Sequence, residues 1–274
     1  MKTNRTWPTL RSDHASLTET LQVLNERRRL LRLLGGAGAL ALLPMPSLAC
    51  TLIPSETEGP YPGDGTNGPN VLTQTGIVRS DIRSSFGSSG TATAPGIPLV
   101  LTLQLVSTTT SCAPLAGVAV YIWQCNATGG YSMYSSGVTA QNYLRGVQVA
   151  DANGEVTFTT IFPGCYSGRW PHIHFEIYET LGQATSGNNA QRISQLALPE
   201  SFCRQVYTDS RYTNSLNNLN NVTLANDNVF RDDQAVHQLA TISGSNANGY
   251  TAQLEVGVTI TADTDTIFYD GFEG

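Results

Sequence analysis

Residues 163–178 read PGCYSGRWPHIHFEIY, and the last seven of them, His172 to Tyr178, decide the fold. In HIHFEIY the polar or amphipathic residues His172, His174, Glu176 and Tyr178 alternate with Ile173, Phe175 and Ile177. Successive side chains of a strand point to opposite faces, so this pattern sets an apolar stripe on one face and both imidazoles on the other. The turn pair Pro163-Gly164 lies just upstream and marks where the preceding segment ends.

Outward from this strand the same period of two returns. Leu101 to Val106 (LTLQLV), Gly117 to Trp123 (GVAVYIW), Val156 to Ile161 (VTFTTI) and Ala252 to Ile260 (AQLEVGVTI) all alternate or nearly so, and Gly, Ser, Asn and Pro clusters separate them. The stretch 63–98 reads as loop, with an edge strand possible over Gly76 to Ile82. A second polar loop runs from Leu181 to Gln191, and a short helical turn fits around Pro199 to Tyr207. There is no internal repeat and no linker long enough to divide the chain. The fold expected is all-β, a single-domain β-sandwich with long loops over residues 50–274.

Residues 1–49 read as a processing signal. Arg27-Arg28-Arg29-Leu30-Leu31-Arg32 precedes an apolar run from Leu33 to Leu43, which is shorter than the roughly 20 residues that span a bilayer. Ser47 and Ala49 suit the −3 and −1 positions of a signal peptidase, which leaves Cys50 first. The paired arginines fit twin-arginine export, so the expected location is periplasmic or extracellular. A lipoprotein signal ending at Cys50 is the alternative, and it alone would bring the protein to a membrane.

Beyond that segment the chain carries eight Arg, no Lys and eighteen acids, a formal charge of about −10. Such a surface has no basic stripe for phosphates, which excludes nucleic acid as a partner. Cys50, Cys112, Cys125, Cys165 and Cys203 are dispersed with no CxxC pair, which points to disulfides rather than a zinc site. Four of the five are expected to pair, in a pattern that sequence does not fix.

Two imidazoles on one strand face suit two ligands of one metal, although a polar strand face with hydrogen-bonded histidines has the same pattern. Tyr166 follows the Pro163-Gly164 turn, Arg169 precedes the histidines, and Tyr131 lies in another turn, NATGGYSMY. Phenolate oxygen beside neutral imidazole favours a hard, redox-capable ion such as Fe(III), and coordination would drive off a proton whose ordinary pKa is about 10.

Taken together, SETEGPYPGDG from Ser55, GVAVYIWQCNATGGYSMY from Gly117, NYLRGVQVADANGEVTFTTIFPGCYSGRWPHIHFEIY from Asn142 and SQLALP from Ser194 resemble the intradiol ring-cleavage dioxygenases. These are relatives of protocatechuate 3,4-dioxygenase and catechol 1,2-dioxygenase, and the likeness is greatest to their shorter, exported branch. The resemblance implies a β-sandwich with one non-haem Fe(III) per chain, held by Tyr131, Tyr166, His172 and His174. Tyr166 and His172 would be axial, and Tyr131 and His174 equatorial beside a hydroxide.

By the same resemblance, a small aromatic diol binds as its dianion, displaces Tyr166 and the hydroxide, and is cleaved by O2 to a cis,cis-muconate product. Arg169 would stabilise the charge on the activated substrate, and Gln195 would lie close by. Glu58, Tyr61 and Trp123 would shape the pocket. Two other functions fit the residues alone: a secreted β-sandwich binding module without catalytic iron, and a zinc or copper enzyme. The oligomeric state is left open.

Overall fold

The strand expected over HIHFEIY forms with those bounds. A computed structural model describes residues 50–260; the expected signal segment and the tail from Asp263 lie outside the described residues. The elements in chain order are β1 (Pro98–Ser107), β2 (Ala113–Pro114), β3 (Ala119–Trp123), β4 (Arg145–Val149), β5 (Glu155–Ile161), β6 (His172–Tyr178), β7 (Arg192–Ala197), α1 (Glu200–Val206), α2 (Ser215–Leu219), β8 (Thr241–Ser245) and β9 (Gly249–Val258).

They build two sheets. In the first, β1 pairs in parallel with β9 along one side, from Leu99↔Tyr250 to Ser107↔Val258, while β5 and the short β2 share its other side. β8 closes the far edge against β9. The second sheet is antiparallel throughout, in the order β4-β3-β6-β7.

The alternation explains what each face buries. Leu99, Leu101, Leu103 and Leu105 of β1, Val156 and Phe158 of β5, and Ala252, Leu254 and Val256 of β9 share one core with Val120 and Ile122 of β3 and Ile173, Phe175 and Ile177 of β6. That core is the filling of the sandwich. The opposite face of the second sheet is covered too: Ala119, Tyr121, Trp123, Val147 and Tyr178 meet Val71, Leu72, Ile77 and Tyr131 in a second cluster. Hence β6 is buried at every position, its polar face included, and the loops 50–97 and 124–144 roof the place where the two histidines point.

Some expectations are corrected. Gly76 to Ile82 makes no strand; Val78 and Asp81 form only isolated bridges to Val147 and Thr159. The polar loop after β6 holds two single 3-10 turns, Leu181–Gln183 and Gly187–Asn189. Four strands that the reading of the sequence did not single out are present: β2, β4, β7 and β8.

The cysteine expectation also changes. One disulfide joins Cys50 to Cys112, and Cys125, Cys165 and Cys203 are buried thiols. Their surroundings are apolar and closed, and burial pushes the Cys125 and Cys165 thiols up to about 12, so they behave as small packing residues. The bridge closes a span of 62 residues, so Cys50→Ser is expected to cost about 4 kcal/mol on a chain-entropy account. Urea unfolding of the variant checks this, and an unchanged midpoint would contradict it.

Candidate active site

Four side chains converge on the roofed face of β6. Tyr131 Oη lies 3.1 Å from His174 Nε2, 3.3 Å from His172 Nε2 and 3.4 Å from Tyr166 Oη. The two Nε2 atoms are 3.0 Å apart, and Tyr166 Oη is 3.3 Å from His172 Nε2. His172, His174 and Tyr131 are buried, while Tyr166 is only partly so.

Local sequence places each of them. His172 and His174 are two residues apart on one strand and so share its face. Tyr131 closes a tight turn in which Asn126 Oδ1 accepts from the amides of Thr128 and Gly130 at 3.0 and 2.9 Å. Gly129 has φ +86, and a Cβ there would sit 2.9 Å from Tyr166 Cβ. The loop bearing Tyr166 is drawn onto the same turn at Gly164, whose amide donates to Asn126 O at 3.1 Å and where a Cβ would meet Ala127 O at 2.6 Å. The absence of side chains at these two glycines therefore lets both phenols reach the histidines.

The electrostatics suit a cation. His172 Nδ1 donates to Trp170 O, so its Nε2 carries a bare lone pair directed at the cluster. Burial, with Arg169 beside it, lowers His172 to about 3, and burial with His172 beside it holds His174 well below the ordinary range. Both imidazoles are therefore neutral. Burial pushes the Tyr166 phenol up to about 12 and Tyr131 well above its ordinary value. Left to themselves, the phenols stay protonated, and both lie within hydrogen-bond reach of His172 Nε2. A high-valent cation among these four atoms would reverse that balance by stabilising the phenolates. Two phenol oxygens and two neutral imidazoles converged in this way fit a hard ferric ion.

Neighbours fix the rings. Trp123 lies opposite His174 in the sheet and stacks on it at 4.7 Å and 9°, so its role is to hold the imidazole plane. Gln195 is the neighbour of His174 on the other side; it donates to Thr57 O at 2.8 Å and accepts from Arg169. Arg169 Nη1 is 3.5 Å from His172 Nε2, and its Nε donates to Asp227 at 2.9 Å. Tyr61 is exposed, and its ring centroid is 5.2 Å from those of both Tyr131 and Tyr134. Arg169, Gln195, Trp123 and Tyr61 thus lie beside the four-donor cluster, whereas Glu58 accepts from Thr66 and lies with Asp64 and Glu176.

Others were not legible. Arg145 and Asp227 are buried cations and anions of the roof, in stretches (NYLRGV, ANDNVF) with no local pattern that marks them. Further along the same face of β6, Glu58, Asp64 and Glu176 place carboxyl oxygens within 4.8 Å of one another. Burial holds Glu176 well above the usual carboxylate range, with Asp64 adding to the effect, so it is a neutral acid whose own proton can occupy the gap to Asp64. No cation is required there.

Residues 67–198 match the family model described as Dioxygenase. An intradiol ring-cleavage dioxygenase from Tetranychus urticae is 29% identical, with a TM-score of 0.58 over 78% of this chain and 98% of that one. A second solved structure, dioxygenase Tetur07g02040, is also 29% identical, with a TM-score of 0.60 over the same shares. The catechol 1,2-dioxygenase of Pseudomonas arvilla C-1, at 17% identity and a TM-score of 0.44 over 87% of this chain and 67% of that one, adds nothing to the assignment. No curated protein sequence matches the chain. The matched span holds Tyr131, Tyr166, Arg169, His172, His174 and Gln195, and the chain is an oxidoreductase of the dioxygenase class, similar in sequence and fold to the intradiol ring-cleavage dioxygenases.

Proposed function

We propose that the protein cleaves catechol-type aromatic diols with O2 to cis,cis-muconate-type products, using one Fe(III) per chain held by Tyr131, Tyr166, His172 and His174. The observation that carries this reading is the convergence of two phenol oxygens and two imidazole Nε2 atoms within 3.0–3.4 Å. When bound, iron would supply Lewis acidity toward a diolate and a redox-capable centre for its reaction with O2.

The chain's own groups do the rest. Tyr166, the least buried of the four, is the phenol able to swing aside and take a substrate proton at Oη. Arg169 presents a fixed guanidinium corner beside His172, where negative charge on the oxidised ring would be stabilised. Gln195 keeps that guanidinium oriented through its amide oxygen. Tyr61 and Tyr134 form an aromatic wall at the open side, suited to a flat ring.

The same reading has the protein exported, with residues 1–49 removed on the twin-arginine route. Its supports are the basic and apolar pattern of that segment and the Cys50–Cys112 disulfide, a bond that persists in oxidising compartments.

The test is metal analysis and the visible spectrum of the purified protein, before and after anaerobic addition of catechol. About one iron per chain, a tyrosinate-to-Fe(III) band that shifts with catechol, and stoichiometric O2 uptake with muconate formed are expected. A protein that stays colourless and iron-free after reconstitution would overturn the proposal.

A further inference from the structure

Arg169 sits in the turn between Tyr166 and β6, where no strand directs its side chain. Its guanidinium is nonetheless fixed at two corners. Nε donates to Asp227 Oδ2 at 2.9 Å and Nη2 donates to Gln195 Oε1. The third corner, Nη1, is left facing His172 Nε2 at 3.5 Å. Which corner faces the four-donor cluster is therefore decided by what holds the other two.

Asp227 is built as an anchor. It is fully buried, and its two oxygens work in opposite directions. Oδ1 accepts from the amides of Val229 and Phe230 at 2.8 and 3.0 Å, which fixes the carboxylate on its own turn. Oδ2 accepts from the Trp170 amide at 2.7 Å as well as from Arg169. Burial works against its charge, but the Trp170 amide, Arg169 and the two turn amides hold it below the usual carboxylate range. The same stretch also braces the second partner: Gln238 Nε2 donates to Gln195 O at 3.0 Å and reaches Ser194 Oγ and Glu56 Oε1 at 3.3 and 3.2 Å. Phe230 lies beside both residues, 5.9 Å from the Arg169 guanidinium carbon and 6.5 Å from the His172 ring.

We propose that Asp227 is the positioning residue for Arg169, and that residues 227–240, which lie beyond the span matched by the family model, complete the active site by orienting that guanidinium. Asp227 touches no reacting atom; it acts by choosing which corner of the fork faces the cluster. This rests on the charge-stabilising role given to Arg169 above. Wild-type protein showing the shifted band and ring cleavage secures that reading first, so its failure is visible before any variant is made.

The experiment is a double-mutant cycle with chemical rescue. Asp227→Asn keeps an acceptor for its own turn but sets an amide N–H against the Arg169 and Trp170 donors. Turnover per bound iron is expected to fall about 10- to 100-fold, the usual effect of losing an outer-shell partner. Arg169→Ala should fall at least as far, and Asp227→Asn should cost several-fold less in the Arg169→Ala background than alone, the remainder coming from the Trp170 amide. Millimolar guanidinium should bind Arg169→Ala by calorimetry and restore part of its turnover, while methylammonium should not. The double variant should do neither. An Asp227→Asn loss that persists undiminished without Arg169, or full activity in Asp227→Asn, would overturn the proposal. So would a folded, iron-bearing Arg169→Ala that neither binds guanidinium nor responds to it, a result that needs no Asp227 variant.

Discussion

Tyr131→Phe is expected to fold normally, bind little or no iron and lose ring cleavage by more than about a thousandfold, equivalent to about 4 kcal/mol of transition-state stabilisation. The substitution removes one atom. Every hydrogen bond of Tyr131 Oη goes to another member of the four-donor cluster, to Tyr166, His172 or His174. The ring itself is buried and keeps its contacts with Tyr61 and with the second hydrophobic cluster. The stability loss is therefore limited to about 1–3 kcal/mol for the buried imidazole left without its phenol partner, while one of two phenolates that would balance a ferric charge is gone. Metal analysis, the visible spectrum and O2 uptake, alongside a thermal melt, check the result. One iron per chain with turnover within tenfold of the parent would exclude Tyr131 as a ligand.

A stability effect as large as that of the disulfide is expected at Arg145. Its guanidinium is buried and spends its donors on the roof of the site: Nε reaches Ser132 Oγ at 3.1 Å, Nη2 reaches Tyr61 O and Ser132 O at 2.9 and 3.0 Å, and Nη1 reaches Tyr121 Oη at 2.9 Å and Pro62 O. Arg145→Met fits the volume but leaves Tyr61 O and Ser132 O without a donor, while Pro62 O keeps the Tyr121 hydroxyl. Each buried acceptor left unsatisfied costs about 1–3 kcal/mol, so a loss of about 3–5 kcal/mol and a melting temperature lower by about 10 °C are expected. Arg145→Lys should recover little, since a point-like ammonium cannot reach acceptors on two loops and a strand at once. Calorimetry decides it, and a shift of under about 2 °C would mean that the roof is held elsewhere.

How far the sequence carried the fold follows from what kind of pattern each element leaves. β1, β5, β6 and β9 span whole cycles of alternation, and they were read to within a few residues. β4 (RGVQV), β7 (RISQLA) and β8 (TISGS) are too short, or too interrupted by Gly and Ser, to show a period, and only pairing with a longer neighbour makes them strands. At the site, the histidine pair announced itself by spacing. Tyr131 and Tyr166, by contrast, are two among eleven tyrosines, and only resemblance singled them out. Arg145 and Asp227 left no local sign, because what makes them important is the loop that each holds from a distance in sequence of 58 residues or more. The cysteines misled for a related reason: composition counts thiols, but Cys125, Cys165 and Cys203 are committed to the interior.

The parallel pairing of β1 with β9 sets the terms on which this protein can be made. The two strands are roughly 150 positions apart in the chain, so a ribosome releases β1 long before its partner exists. Contacts of such long range make folding slow, because loop closure precedes any reward. A nascent chain must hold β1 with one flank of unpaired amides and carbonyls until synthesis reaches Val258. Any chain that ends short of that residue keeps the flank open as a template for other chains, so incomplete translation yields aggregate and not a smaller working enzyme.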